Sequence, residues 1–186
     1  MNGESRALTT GSVVKGMLLF AVPIFMSNLF QQLYNAVDSL IVGNFIGGEA
    51  LAAVGSSGSL IFLLTGFVNG VSLGAGVLIA RHFGAGDDAA LHRTVHTTIA
   101  LGLAAGAVLT VVGVAFTPQI LRWMGPPDNV IGNSILYFRI YFMGSIAVVL
   151  YNVGASILQS VGDSRSPMFY LIAASLLNVV LDLVFL

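Results

Sequence analysis

Apolar residues gather into five long stretches, about 16–46, 51–80, 94–117, 135–160 and 167–186. A helix crossing a hydrocarbon core of ~30 Å needs about 20 residues, and every stretch reaches that length. Lipid offers no hydrogen-bond partner to an open strand edge, so the spans are predicted to be helices. Polar and turn-forming residues mark the connections: Gly47-Gly48-Glu49, the segment RHFGAGDDAALHR from Arg81 to Arg93, Pro126-Pro127-Asp128-Asn129, and GDSRSP from Gly162 to Pro167. The first stretch is too long for the apolar region of a signal peptide, and no small-residue cleavage site follows it, so it is predicted to be a retained span.

The polar positions inside these stretches are more informative than the apolar ones. On the first span Asn28, Gln31, Gln32, Asn35, Asp38 and Ser39 share one face at helical spacing, and Leu29, Phe30, Leu33, Val37 and Leu40 take the other. The polar stripe covers about a third of the circumference and is predicted to face a bundle interior or a watery cavity. The fourth span adds Asn152, Ser156 and Gln159, and the fifth adds Ser175, Asn178 and Asp182, with Asn178 and Asp182 at the i, i+4 spacing that makes side chains neighbours. Together the three polar faces suggest one shared cavity. Of eight acidic residues, only Asp38 and Asp182 fall inside spans. A carboxylate there is a functional hypothesis by default, because hydrocarbon penalises charge. Counted from Pro167, Asp182 lies roughly 22 Å along its helix. Asp38 is likewise late in its span. Two carboxylates at similar depth can hold a cation together or share a proton.

Glycine and proline punctuate the spans. Gly66, Gly70 and Gly74 on the second, and Gly102 and Gly106 on the third, form small-residue faces that predict close helix packing. Pro23 removes a backbone hydrogen bond from the first span and predicts a kink or hinge.

Composition narrows the class. Of the 186 residues 56% are hydrophobic and 8% charged, against about a quarter charged in a soluble domain, so lipid is the main solvent. The net charge of −1 and the lack of a basic run argue against a nucleic-acid partner, and the absence of cysteine excludes disulfides and thiolate metal sites. Arg6, Lys15, Arg81, Arg93 and Arg165 fall on one side of the predicted topology, and Arg122 and Arg139 on the other. The positive-inside rule therefore places the N-terminus in the cytoplasm. His92 and His96 have i, i+4 spacing, but Arg93 stands where a zinc protease needs glutamate, and no metal site is expected. The Gly-rich GAGD at Gly84–Asp87 lacks the Lys-Ser/Thr of a phosphate loop. No ATP motif is present, so energy must come from a gradient or from another subunit. No catalytic constellation is present either, and the chain is not expected to be an enzyme.

Three motifs in order carry a family resemblance that runs over nearly the whole chain. LYNAVDSLIVGNFIGGEALAAVG, from Leu33 to Gly55, resembles the first-helix signature of the multidrug and toxic compound extrusion (MATE) family. RHFGAGD and QSVGDSRSPMFYLIAASLLNVVLDLVF resemble its second and fourth loops and fifth helix. The resemblance implies an all-α membrane protein. Residues 1–186 would form five transmembrane helices of a six-helix N-terminal bundle, half of a twelve-helix transporter. The last span ends at Leu186 without a polar flank, which likewise predicts a longer protein. Further implications are a secondary antiporter in the plasma (inner) membrane, export of organic, often cationic, drugs against Na⁺ or H⁺ with no other cofactor, and partners in the lipid bilayer and the C-terminal half. Asp38 then matches the first-helix acid of a cation site, Asn178 and Asp182 its fifth-helix partners, and Pro23 the proline where the first helix bends in some members. Gln31, Tyr34, Asn152 and Ser175 fall near positions lining the substrate cavity, and Asn35 belongs to the same polar stripe. The chain departs from many relatives in having Gly144-Ser145 where they have glycine followed by proline, and Gln159 where they have arginine.

Three other readings compete. A lipid-linked oligosaccharide flippase of the same superfamily would need several basic residues in its cavity to hold diphosphate, and the span interiors carry almost none. An intramembrane aspartyl protease needs Tyr-Asp and Gly-x-Gly-Asp, where this chain has Val37-Asp38 and Ser160-Val161-Gly162-Asp163. A non-transporting scaffold predicts no stabilisation by ligand.

Overall fold

A computed structural model describes residues 12–41, 43–44, 48–124 and 128–185, except for the side chains of 48–57, 59–60, 128–130, 182–183 and 185. Among the described residues every regular element is helical. In chain order these are α1 (Val13–Ile41), α2 (Gly48–Ala85), α3 (Asp88–Met124), α4 (Asp128–Met143), α5 (Ser145–Ser160) and α6 (Arg165–Phe185). Val13–Ile41, Ile61–Ala85 and Asp88–Met124 are long and apolar enough to cross a membrane. Ile131–Met143 and Ser145–Ser160 make a fourth span if counted together, and Arg165–Leu181 is a shorter apolar helix. Large apolar side chains such as Leu18, Phe25, Phe62, Val77, Val111 and Leu176 stand exposed, as they do where lipid is the solvent.

The structure redraws two stretches. The segment Arg81–Arg93, expected as a connection, is helical except at Gly86-Asp87. Gly86 takes a φ of 68°, its N–H donates to the Phe83 carbonyl, and the Asp87 N–H donates to the His82 carbonyl. This paired closure ends α2 and needs a left-handed residue, which glycine supplies. Asp87 then accepts the Ala90 N–H at 2.9 Å and caps α3. The second difference lies in the fourth span, which breaks at Gly144 with a bend of 47°.

The chain divides into two compact units. The first comprises Met1–Ile41, Leu73–Val95 and Gly154–Leu186, and the second Val42–Ser72 and His96–Val153. In the first unit α1 packs along α6. There Gly76 of α2 brings its backbone so near α5 that an added Cβ would stand 2.7 Å from both the Ser156 and Ser160 hydroxyls.

The second unit is organised by the buried face of α3: Thr98, Gly102, Gly106, Gly113, Thr117 and Leu121, at steps of four and seven residues. Its glycines let α4 and α5 approach closely. A Cβ on Gly106 would sit 2.9 Å from the Ile146 Cα, one on Gly102 would sit 3.0 Å from Val153 Cγ2, and one on Gly113 would collide with the Phe142 ring. Phe142, Phe138 and Leu121 form the core, with the two rings 5.8 Å apart.

Gly102 and Gly106 therefore pack as their spacing predicts. Gly66, Gly70 and Gly74 do not, since a Cβ on any of them meets no described atom within 4 Å. The buried positions of α2 are Val68, Ser72, Gly76 and Ile79. Residues two apart differ by about 200° around a helix, so the three glycines lie on the opposite face.

Candidate functional site

The first unit holds most of the polar residues singled out above. α1 runs unbroken through Pro23, which is buried. The missing N–H of the proline is one weakness in the ladder. The Ser27 hydroxyl adds another by donating to the Pro23 carbonyl at 2.9 Å, a side-chain bond that competes with the helix and favours bending.

The polar stripe begins at the next residue. Asn28, Gln31, Gln32, Asn35 and Ser39 are exposed, and Tyr34 and Asp38 are half-buried. Local bonds order the stripe: Asn35 Nδ2 donates to Gln32 Oε1 at 3.3 Å, and Ser39 Oγ donates to the Asn35 carbonyl at 2.8 Å. The exposed face is thus the amide-rich one, while the carboxylate sits at its edge.

α6 begins where Asp163 accepts the N–H groups of Arg165 and Ser166, at 3.1 and 3.0 Å, and the Ser166 hydroxyl at 2.6 Å. Burial pushes the Asp163 carboxyl up. The bonds from Ser166 and Arg165 and the Arg165 charge outweigh it, so its pKa lies below the ordinary 3.8.

Ser175 and Asn178 are half-buried on α6. The Asn178 side-chain oxygen is fully buried and meets no hydrogen-bond donor among the described residues. An amide oxygen in that condition is costly, unless a cation or a protonated group completes it. Asp182 lies one turn beyond on the same helix, its side chain outside the described residues.

Asn152 belongs to the second unit, half-buried, with its Nδ2 donating to the Val148 carbonyl at 2.8 Å. Ser156 and Gln159, one and two turns later on α5, belong to the first unit and are half-buried. No group of three metal-ligating side chains occurs among the described residues.

Sequence reasoning missed the Gly76–Ser156–Ser160 junction. The signal was present in two serines four apart on α5, but nothing in the chain says that a glycine of another helix meets them.

Comparison with known proteins decides the family, because the MatE family model matches residues 23–184. The chain belongs to the MatE family. Among its MatE relatives, the probable multidrug resistance protein YoeA of Bacillus subtilis is 39% identical over 170 residues, which are 91% of this chain and 37% of YoeA. The multidrug export protein MepA of Staphylococcus saprophyticus is 25% identical over 92% of this chain and 38% of its own length. A solved structure of a multidrug resistance MATE transporter in an outward-facing conformation superposes with a TM-score of 0.91 at 28% identity, covering 98% of this chain and 40% of that one. A MOP superfamily transporter from Pyrococcus furiosus, described as having a binding pocket of reversed polarity, gives a TM-score of 0.90 at 28% identity over 98% of this chain and 40% of its own. The chain thus spans about 40% of the length of the MatE proteins it matches. Their names describe multidrug resistance, drug export and transport.

Proposed function

We propose that this chain is the N-terminal portion of a secondary antiporter that exports organic, often cationic, drugs in exchange for Na⁺ or H⁺. The coupling ion would be held by Asp38 of α1 with Asn178 and Asp182 of α6. The observation that carries this reading is the buried, unmet Asn178 oxygen on a helix that packs along α1. A hard cation takes carboxylate and amide oxygens as ligands, and a proton shared between carboxylates would offer the same oxygen an O–H donor. Both ions suit the donor set.

Coupling requires that ion and drug prefer different conformations. Pro23 and Ser27 weaken the ladder of α1 below Asp38, so α1 is the element whose shape the ion would bias. Gln31, Tyr34, Asn35 and Ser175 are assigned to the drug cavity. Asn152 is assigned there too, on family resemblance. The distribution of Lys and Arg supports a cytoplasmic N-terminus in the plasma (inner) membrane. The YoeA and MepA names support the drug class.

Transport by the full-length protein in liposomes, with Na⁺ and pH gradients imposed separately, tests the proposal. Drug movement driven by one gradient is expected, and Asp38→Asn should abolish it while leaving membrane expression intact. Undiminished gradient-driven efflux by that variant removes Asp38 from the mechanism.

A further inference from the structure

We propose that Arg122 of α3 and Arg139 of α4 form a binding site for the phosphate of an anionic phospholipid. Depth is the first observation. Between His96 and Arg122, α3 carries no charged residue, and the two stand about 39 Å apart along the helix. A bilayer is about 30 Å thick in its hydrocarbon core and about 40–45 Å with its headgroups, so Arg122 emerges in a headgroup layer. Trp123 beside it is 85% exposed, and an exposed indole is at home in that layer.

Packing brings Arg139 to the same level. Leu121 meets Phe138 in the buried core of the second unit. Gly113, eight residues earlier on α3, meets Phe142, four residues later on α4, so the two helices run antiparallel. Successive residues turn by about 100° around a helix. On antiparallel neighbours that turn carries the residue after each contact to the same side of the pair. Arg122 follows Leu121 and Arg139 follows Phe138, so both side chains leave from one side, about 3 Å apart in height. Packed helices stand about 8–10 Å apart, a gap that two extended arginines can close around one phosphate. The guanidinium fork gives a phosphate two parallel N–H bonds.

The surroundings select a lipid. Both arginines are exposed. Leu136 and Met143, three residues before Arg139 and four after it, are exposed with Ile140, and they offer a surface to acyl chains. An arginine on such a face is costly in hydrocarbon, and the cost is relieved when its head reaches the headgroups. The described carboxylates, Asp38, Asp87, Asp88 and Asp163, all belong to the first unit. Glu49 and Asp128 of the second unit lie outside the described side chains, and Asp128 starts α4 about 16 Å along the helix from Arg139. Two positive charges therefore favour a lipid of net negative charge over one whose own ammonium neutralises its phosphate.

Photo-crosslinking of the full-length protein in nanodiscs tests this, with phosphatidylglycerol and phosphatidylethanolamine carrying the same photoactivatable acyl chain. The ratio of labelling by the two lipids is read at Leu136–Met143 and, as a reference, at the exposed Val108 and Val111 of α3. The ratio at Leu136–Met143 is expected to be several-fold higher. Arg139→Gln and Arg122→Gln should each lower it about fivefold, the weight of one arginine near an anionic surface. Arg122 stands at an exposed helix end, so its variant supplies the reading if Arg139→Gln fails to fold. Excess inorganic phosphate should leave the ratio unchanged. Equal ratios at the two places overturn the proposal, as does an excess that survives in a folded variant. Loss of the excess to inorganic phosphate overturns the lipid as ligand, and absence of labelling by either lipid at Leu136–Met143 shows that protein covers this face.

Discussion

At the residue scale, two kinds of position carry opposite expectations. Gly106 and Gly113 stand where a methyl group has no room, so Gly106→Ala and Gly113→Ala should destabilise the protein by about 1–3 kcal/mol, the usual range for overpacking. Gly70→Ala, on the open face of α2, should leave stability within about 0.5 kcal/mol. Thermal unfolding in detergent compares the three. Asn178 is the other kind. Its buried oxygen is a liability without a ligand and an asset with one. Asn178→Leu is therefore expected to raise the unfolding temperature in the absence of Na⁺ at high pH and to abolish stabilisation by Na⁺ or by protons. A variant that keeps the ion-dependent shift would show that the coupling site lies elsewhere. Asp38 and Asn178 were legible in the chain because hydrocarbon makes polar residues conspicuous. The break at Gly144 was not, since a glycine followed by serine looks alike in a continuous helix and in a broken one.

At the element scale, helix ends explain where the spans stop. Gly162 has a φ of 92°, its N–H donates to the Gln159 carbonyl, and the Asp163 N–H donates to the Leu158 carbonyl, so α5 closes as α2 does. Asp163 then caps α6. Asp163→Ala should cost about 1 kcal/mol, typical of a lost cap, and should speed amide exchange in the first turn of α6. The pH dependence has a definite sign. A carboxyl whose folded pKa is lowered contributes stability that is fully present above its unfolded value and is lost as pH falls through the folded one. The first turn of α6 should therefore exchange at a constant intrinsic rate ratio at neutral pH and open only below about pH 3.8, an effect that solvent around this exposed carboxyl keeps small. Apolar periodicity located the helices, but polarity alone misjudged the link between α2 and α3. Charged residues from Arg81 to Arg93 look like a loop, and they are helical because Gly86 and Asp87 complete both helix ends within two residues.

At the scale of the whole molecule, many large apolar side chains of the described residues face outward, and the closest helix approaches among them are made at glycines. Area-driven collapse does not select such contacts in lipid. Close backbone approach does, as at Gly76 against Ser156 and Ser160, and at Gly106 against Ile146. The all-helical membrane class followed from composition and periodicity. The division into two units did not, because it depends on which small residues meet, and one stripe of glycines resembles another until partners are seen. Gly66, Gly70 and Gly74 and the α3 stripe look alike in the chain, and only the latter is used among the described residues.

The Gly86-Asp87 turn has a mechanical consequence. With two residues between α2 and α3, and both consumed by bonds to the helices they join, there is no slack at that elbow, and a tilt of one helix must be delivered to the other. Inserting Gly-Ser between Gly86 and Asp87 is expected to slow gradient-driven drug efflux in liposomes while leaving drug affinity unchanged. Unaltered turnover would mean that the two helices move independently despite their short tether.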